Sequence, residues 1–168
     1  VRCCLLLLGP IAVFAAEPIE WSGTQASGSH YRITRPCGAD YNDRLVVWVH
    51  GFQDATDPVG IPEDQLQLGD LYLPDLVNSL GFGFATNSFS KTGLAVRQGI
   101  DDIRDLVRIY LEKVGKPRKV YLVGVSEGGL ITTLLLELFP DEFSGGIAAC
   151  GPIGDFQSQV NFIGDARV

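Results

Sequence analysis

Val120-Tyr121-Leu122-Val123-Gly124-Val125-Ser126-Glu127-Gly128-Gly129, followed by the apolar run Leu130 to Phe139, decides the fold of this chain. Val120 to Val123 is short, continuous and apolar, the pattern of a strand buried on both faces. Leu130 to Phe139 is apolar on most faces, which predicts a buried helix stopped by Pro140. Between them, Gly124-x-Ser126-x-Gly128 places a serine on a strand-to-helix turn. Side chains two residues to either side of such a serine would collide with neighbouring backbone. Glycines remove the collision, and the tight turn lifts the hydroxyl clear of the sheet. The same turn sets Ser126 at a helix N-terminus, where the dipole favours developing negative charge. The alternative is a glycine-rich turn whose serine only caps the helix.

Working outward, Leu45-Val46-Val47-Trp48-Val49 is a second buried strand and ends in His50-Gly51-Phe52. The polar stretch from Gln53 to Asp70, with Pro58 and Pro62, reads as a surface loop. A short helix is expected from Pro74 to Leu80, since proline suits a first helical turn. Phe82 to Thr86 is a further strand. Thr92 to Val114 carries an apolar stripe of Val96, Ile100, Ile103, Val107, Tyr110, Leu111 and Val114 at helical spacing, with Asp101, Asp102 and Asp105 on the other faces. Gly115 and Pro117 end it. Ile147 to Cys150 is the last strand. Before all of these, Trp21 to Arg35 is extended and broken by Ser-Gly turns, as in an edge hairpin. Strands alternating with helices predict an α/β fold, a mostly parallel sheet with helices on both faces. Active sites in such sheets gather at the carboxyl ends of the strands. Both the serine turn and His50-Gly51 end a strand.

The chain has 168 residues, enough for one domain, with 46% hydrophobic and 20% charged residues, so it is not a disordered sequence. The net charge of −7 comes without a clustered basic stripe, which argues against a nucleic-acid partner. Residues 1–16 differ from the rest: Arg2 precedes an apolar stretch from Cys3 to Phe14, and Ala15-Ala16 precedes the polar Glu17-Pro18. That is the form of a signal peptide, too short for a membrane span. Export as a secreted or periplasmic protein is therefore expected, with residues 17–168 as the mature part. Removing the first sixteen residues leaves Cys37 and Cys150. Export permits a disulfide between them, but the predicted strands put them near opposite edges of the sheet. Cys150 is expected to be a buried thiol.

Gly124-Val125-Ser126-Glu127-Gly128-Gly129 resembles the nucleophile elbow of the α/β-hydrolase superfamily, and His50-Gly51 resembles its oxyanion loop. Phe89-Ser90-Lys91-Thr92-Gly93 and Cys150-Gly151-Pro152-Ile153-Gly154 are similar to stretches of exported esterase- and peptidase-like hydrolases. The likeness runs from about Arg44 to Asp155. It implies Ser126 as nucleophile and the backbone amides of Phe52 and Glu127 as oxyanion donors. His50, Gly51, Gly124 and Gly128 support the motif. It also implies no cofactor, no metal, and an ester or peptide substrate. By the same resemblance His50 is a structural histidine rather than the base. The loop before the long helix has two readings of equal weight, a border of the acyl pocket or a solvent-exposed turn. His30, on the edge hairpin, is expected to be solvated.

The superfamily orders its triad as nucleophile, acid, histidine, and no histidine follows Ser126. A serine without a base is a poor nucleophile. The expectation is therefore the N-terminal portion of the domain, an incomplete α/β-hydrolase fold whose base lies beyond Val168, and whose isolated chain is inactive. Asp155 is carried as an acid candidate, on the placement one strand earlier that a minority of the superfamily uses. Its other reading is a loop aspartate beside Gly154. Two functions stand against each other: a serine hydrolase acting through an acyl-serine intermediate, and a non-catalytic binding module on the same fold. A nucleotide site is disfavoured, because neither Gly-x-Gly-x-x-Gly nor a Walker lysine is present.

Overall fold

A computed structural model describes residues 17–165. The region expected to be a signal peptide lies outside them. A hairpin of β1 (Ile19–Thr24) and β2 (His30–Arg35) opens the chain, and β3 (Arg44–Val49) follows. The stretch expected to be a plain surface loop contains a 3-10 turn at Glu63–Leu66 and a two-strand ladder of β4 (Gln67–Leu68) and β5 (Leu71–Tyr72). Leu66 is fully buried there, so an apolar residue pins a stretch whose polarity suggested solvent. Then come α1 (Leu73–Ser79), β6 (Gly83–Asn87), α2 (Val96–Lys113), β7 (Lys119–Val125), α3 (Glu127–Leu138), β8 (Gly145–Ala149) and α4 (Phe156–Asp165).

The main sheet has the order β1-β2-β6-β3-β7-β8. β6, β3, β7 and β8 are parallel neighbours, and β1 and β2 run antiparallel at one side. From β3 the chain steps sideways to β6, then returns past β3 to β7 and continues to β8. Crossovers between parallel strands are right-handed, so this reversal puts α1 on one face and α2 with α3 on the other. Burial follows the same division. Leu45, Val47 and Ala85 pack in one cluster with Ile103, Leu106 and Tyr110 of α2 and Ile131 and Leu135 of α3. Val46 lies opposite Phe84 on the α1 face. β3 and β7 lie side by side, and the helices that follow them leave to opposite faces. A crevice opens between their carboxyl ends, where such sheets bind ligands.

Several expectations need correction. α2 begins at Val96 rather than Thr92, because Gly93 at φ +75 donates its N–H to Gln53 and breaks the helical path. Asp102 is 2% exposed rather than on an outer face. Its side-chain oxygen accepts the Ser90 N–H at 2.6 Å, and that bond offsets the cost of burying a polar group. Leu111, placed in the apolar stripe, is 41% exposed. α3 buries Ile131, Thr132 and Leu135 but exposes Leu138, and β8 exposes Ile147. β8 is the sheet's last strand among the described residues, so these side chains have no neighbouring layer.

No disulfide joins Cys37 and Cys150. Cys37 follows β2, beside the start of β6, and its thiol donates to the Glu17 carbonyl at 3.1 Å. Cys150 follows β8, at the edge where the parallel strands end. It is exposed rather than buried, since the same edge of β8 lacks a cover.

Candidate active site

The serine turn connects β7 directly to α3. Ser126 has φ 57 and ψ −121, a conformation L-residues rarely adopt, and its side chain is exposed. Strain of this kind costs about 1–3 kcal/mol and survives only where the surroundings impose it. They do so here. Ser126 N–H donates to the Ala149 carbonyl at 2.9 Å, and the Ser126 carbonyl accepts from Gly129 and Leu130 at 3.0 and 3.2 Å. A Cβ on Gly124 would overlap the Gly128 carbonyl and the Thr132 hydroxyl. One on Gly128 would overlap the carbonyls of Val49 and His50. Glycine at these two positions is what allows the turn to pass between its own helix and the end of β3.

That close approach brings the His50-Gly51-Phe52 loop against the serine. A Cβ built on Gly51 would lie 3.5 Å from the Ser126 Cβ. Phe52 and Glu127 therefore flank Ser126 from β3 and α3. Glu127 is the first residue of α3, and the first amides of a helix have no intrahelical acceptor. Among the described residues neither the Phe52 nor the Glu127 amide has an acceptor.

His50 is 1% exposed and stacks on Phe89, with ring centroids 3.8 Å apart. Its Nδ1 donates to the Gly51 carbonyl at 2.7 Å. Burial lowers its pKa to about 4, against the opposing effect of that hydrogen bond. His50 thus braces the loop as a neutral ring. His30 lies exposed at the start of β2, its Nδ1 3.4 Å from the Thr24 hydroxyl.

Asp155 sits just before α4. Its carboxylate accepts the Gln157 and Ser158 N–H groups at 3.1 and 3.2 Å and the Ser158 hydroxyl at 2.7 Å. The hydroxyl bond foremost, with the amides, holds its pKa below the usual carboxylate range. In this arrangement Asp155 caps a helix.

A cavity of about 430 Å³ opens beside Ser126 and Glu127. Its walls are Phe52, Leu94, Val96, Leu130 and Pro152, so it is apolar apart from the serine end. The loop before α2 does border it, but through Leu94, with Val96 of α2 beside it. Phe89 of that loop points inward onto His50. Glu127 is 5% exposed, and its Oε1 accepts the buried Ala95 N–H at 2.6 Å. Burial raises its pKa, with the Ala95 bond opposing. Sequence reasoning missed this second role of Glu127, the part played by Leu94, and Gln65. Gln65 Oε1 accepts the Gly51 N–H at 2.6 Å, and its Nε2 donates to the Phe52 carbonyl at 3.2 Å. None of the three carries a sequence signal, because each depends on a partner distant in the chain. No described helix is long and apolar enough to cross a membrane.

No protein-family model and no curated protein matches this chain. Solved structures do. An esterase from Pyrococcus furiosus superposes with a TM-score of 0.57 at 17% identity, over 82% of this chain and 50% of that one. An acylaminoacyl peptidase from Pyrococcus horikoshii gives 0.55 at 19%, over 83% and 24%. Brefeldin A esterase, described as a bacterial homologue of human hormone-sensitive lipase, gives 0.53 at 18%, over 88% and 43%. This chain therefore spans half or less of the length of each of these three structures. What it shares with them is the α/β-hydrolase fold.

Proposed function

We propose that this chain uses its α/β-hydrolase fold as the nucleophile-bearing part of a serine hydrolase. In this reading Ser126 Oγ attacks the carbonyl carbon of an ester or amide. Its proton passes to a histidine base outside these 168 residues. The carbonyl oxygen becomes an oxyanion that the Phe52 and Glu127 amides receive, and the leaving alcohol or amine departs with the proton. Water then releases the acid from the acyl-serine, restoring the Ser126 hydroxyl. A single oxyanion donor is typically worth about 3 kcal/mol of transition-state stabilisation.

The observation that carries this reading is the strained, exposed Ser126 turn packed against an oxyanion-type loop. A capping serine does not need φ 57, and Ser126 makes no side-chain capping bond. The apolar cavity favours a substrate with an uncharged, apolar group beside the reacting carbonyl. Solved neighbours of the same fold are esterases and peptidases, which agrees with an acyl-transfer reaction. Export to the cell exterior or periplasm belongs to the same proposal and rests on residues 1–16 alone.

The test is labelling of the full-length protein with a fluorophosphonate, followed by peptide mapping. An adduct at Ser126 is expected, and its absence would overturn the assignment. The binding-module reading has one observation in its favour. Among the described residues, the histidines are the buried His50, bonded to the Gly51 carbonyl, and the edge His30, beside the Thr24 hydroxyl, and neither is hydrogen-bonded to Ser126. Unlabelled Ser126 with retained ligand binding would favour that reading.

A further inference from the structure

The Phe52 amide is one of the two donors in the proposed reaction, and the hydrogen bonds around it show how it is held. A trans peptide unit is planar, with C=O and N–H pointing in opposite directions. The unit joining Gly51 to Phe52 is fixed at its carbonyl by His50 Nδ1, 2.7 Å away. That bond turns the Phe52 N–H the other way. One side chain holds the units before and after: Gln65, fourteen residues downstream of Gly51, bonds the Gly51 N–H and the Phe52 carbonyl together. Both partners require the same orientation of the Gln65 amide, with oxygen toward the N–H and nitrogen toward the carbonyl. Of the backbone polar groups of Gly51 and Phe52, the Phe52 N–H alone is left without an acceptor among the described residues.

Gln65 is itself well held. Its N–H donates to the Pro62 carbonyl at 3.0 Å, and the next residue, Leu66, is fully buried. Glu63, in the same 3-10 turn, makes two bonds of 2.6 and 3.0 Å to the Arg32 guanidinium on β2. The turn is thus tied to the sheet on one side and to the core on the other, with Gln65 projecting between them onto the loop.

We propose that Gln65 is a positioning residue of the oxyanion hole, clamping the Gly51–Phe52 segment so that the Phe52 amide is preset for the oxyanion. The inference rests on the Ser126 reading above. A preset donor needs no reorganisation as charge develops, so its benefit falls on the transition state. A ground-state carbonyl gains much less from it.

The experiment compares full-length wild type, Ser126→Ala, Gln65→Leu and Gln65→Glu in hydrolysis of p-nitrophenyl butyrate. Gln65→Leu removes both bonds. Gln65→Glu is nearly isosteric and keeps the acceptor for Gly51, but sets an oxygen against the Phe52 carbonyl. It also serves where the leucine variant fails to fold. The expected result for each folded Gln65 variant is a roughly 10- to 100-fold loss in kcat with KM changed less than about 3-fold. Affinity for a trifluoromethyl ketone, which mimics the tetrahedral intermediate, falls in parallel with kcat/KM. A role confined to packing would lower thermal stability without that parallel. Unchanged kcat in a folded variant, a loss confined to KM, or unfolding of both variants overturns the clamp. These outcomes leave the nucleophile assignment standing when Ser126→Ala is inactive. Wild-type activity in Ser126→Ala overturns both.

Discussion

Glu127 Oε1 accepts the backbone N–H of Ala95 at 2.6 Å, joining the first residue of α3 to the residue before α2. Both groups are buried, Glu127 at 5% and Ala95 at 0% exposure. The bond holds the Leu94–Val96 wall of the cavity against the turn that carries Ser126. A buried N–H left without an acceptor costs about 1–3 kcal/mol. Glu127→Ala is therefore expected to lower unfolding free energy by about that amount. Glu127→Gln, which keeps an oxygen in place, loses less than about 1 kcal/mol. Urea unfolding of the full-length variants measures both, and equal losses would show that the Ala95 bond contributes nothing.

Ser126 predicts an opposition between stability and activity. Its φ of 57 is a conformation that glycine accepts without strain. Relief of about 1–3 kcal/mol is partly offset by the larger unfolded-state freedom of glycine. Ser126→Gly should raise the unfolding midpoint, with a net gain of roughly 1 kcal/mol, while abolishing fluorophosphonate labelling. A destabilised glycine variant would mean that the turn is not strained.

His50 predicts a pH dependence. Burial holds its folded pKa at about 4, below the ordinary value of 6.5. Between these values the unfolded chain binds a proton that the folded chain does not, so stability falls as pH falls. The loss is absent well above pH 6.5 and reaches on the order of 3 kcal/mol near pH 4. Unfolding of wild type and His50→Asn at matched pH isolates this contribution from that of the carboxylates. The stability advantage of wild type should shrink from pH 7 to pH 4, and a constant difference would refute it.

Gly128 predicts a steric penalty. A Cβ there meets the Val49 and His50 carbonyls, which are backbone atoms that cannot rotate away. Gly128→Ala should cost about 3 kcal/mol or more, at the upper end of overpacking effects. A near-wild-type melting temperature would show that β3 and α3 separate easily.

The parallel core was readable because its signals are local. Val120 to Val123 and Leu45 to Val49 are continuous apolar runs, and β7 and β3 occupy them. The helical stripe ending before Gly115 and Pro117 gave α2, although its first turn was misplaced. Thr92 and Gly93 look helical by position, yet a tertiary bond from Gly93 to Gln53 draws them out of the helix. Asp102 shows the same limit. An aspartate beside another aspartate reads as solvent-facing, and only the approach of the Ser90 amide makes its burial favourable.

Residue types and spacing alone identified an α/β chain with a serine turn after one strand and a His-Gly loop after another. Side-chain periodicity and glycine's small volume are written directly in the residues. Tertiary structure alone decided that the chain reverses between the two strands to open a crevice. It also decided that Gln65 and Leu94 converge on the serine turn and that Glu127 ties that turn to Ala95. Those relationships join positions far apart in the chain, and a hydrogen bond or a cavity wall exists only once both sides have been brought together.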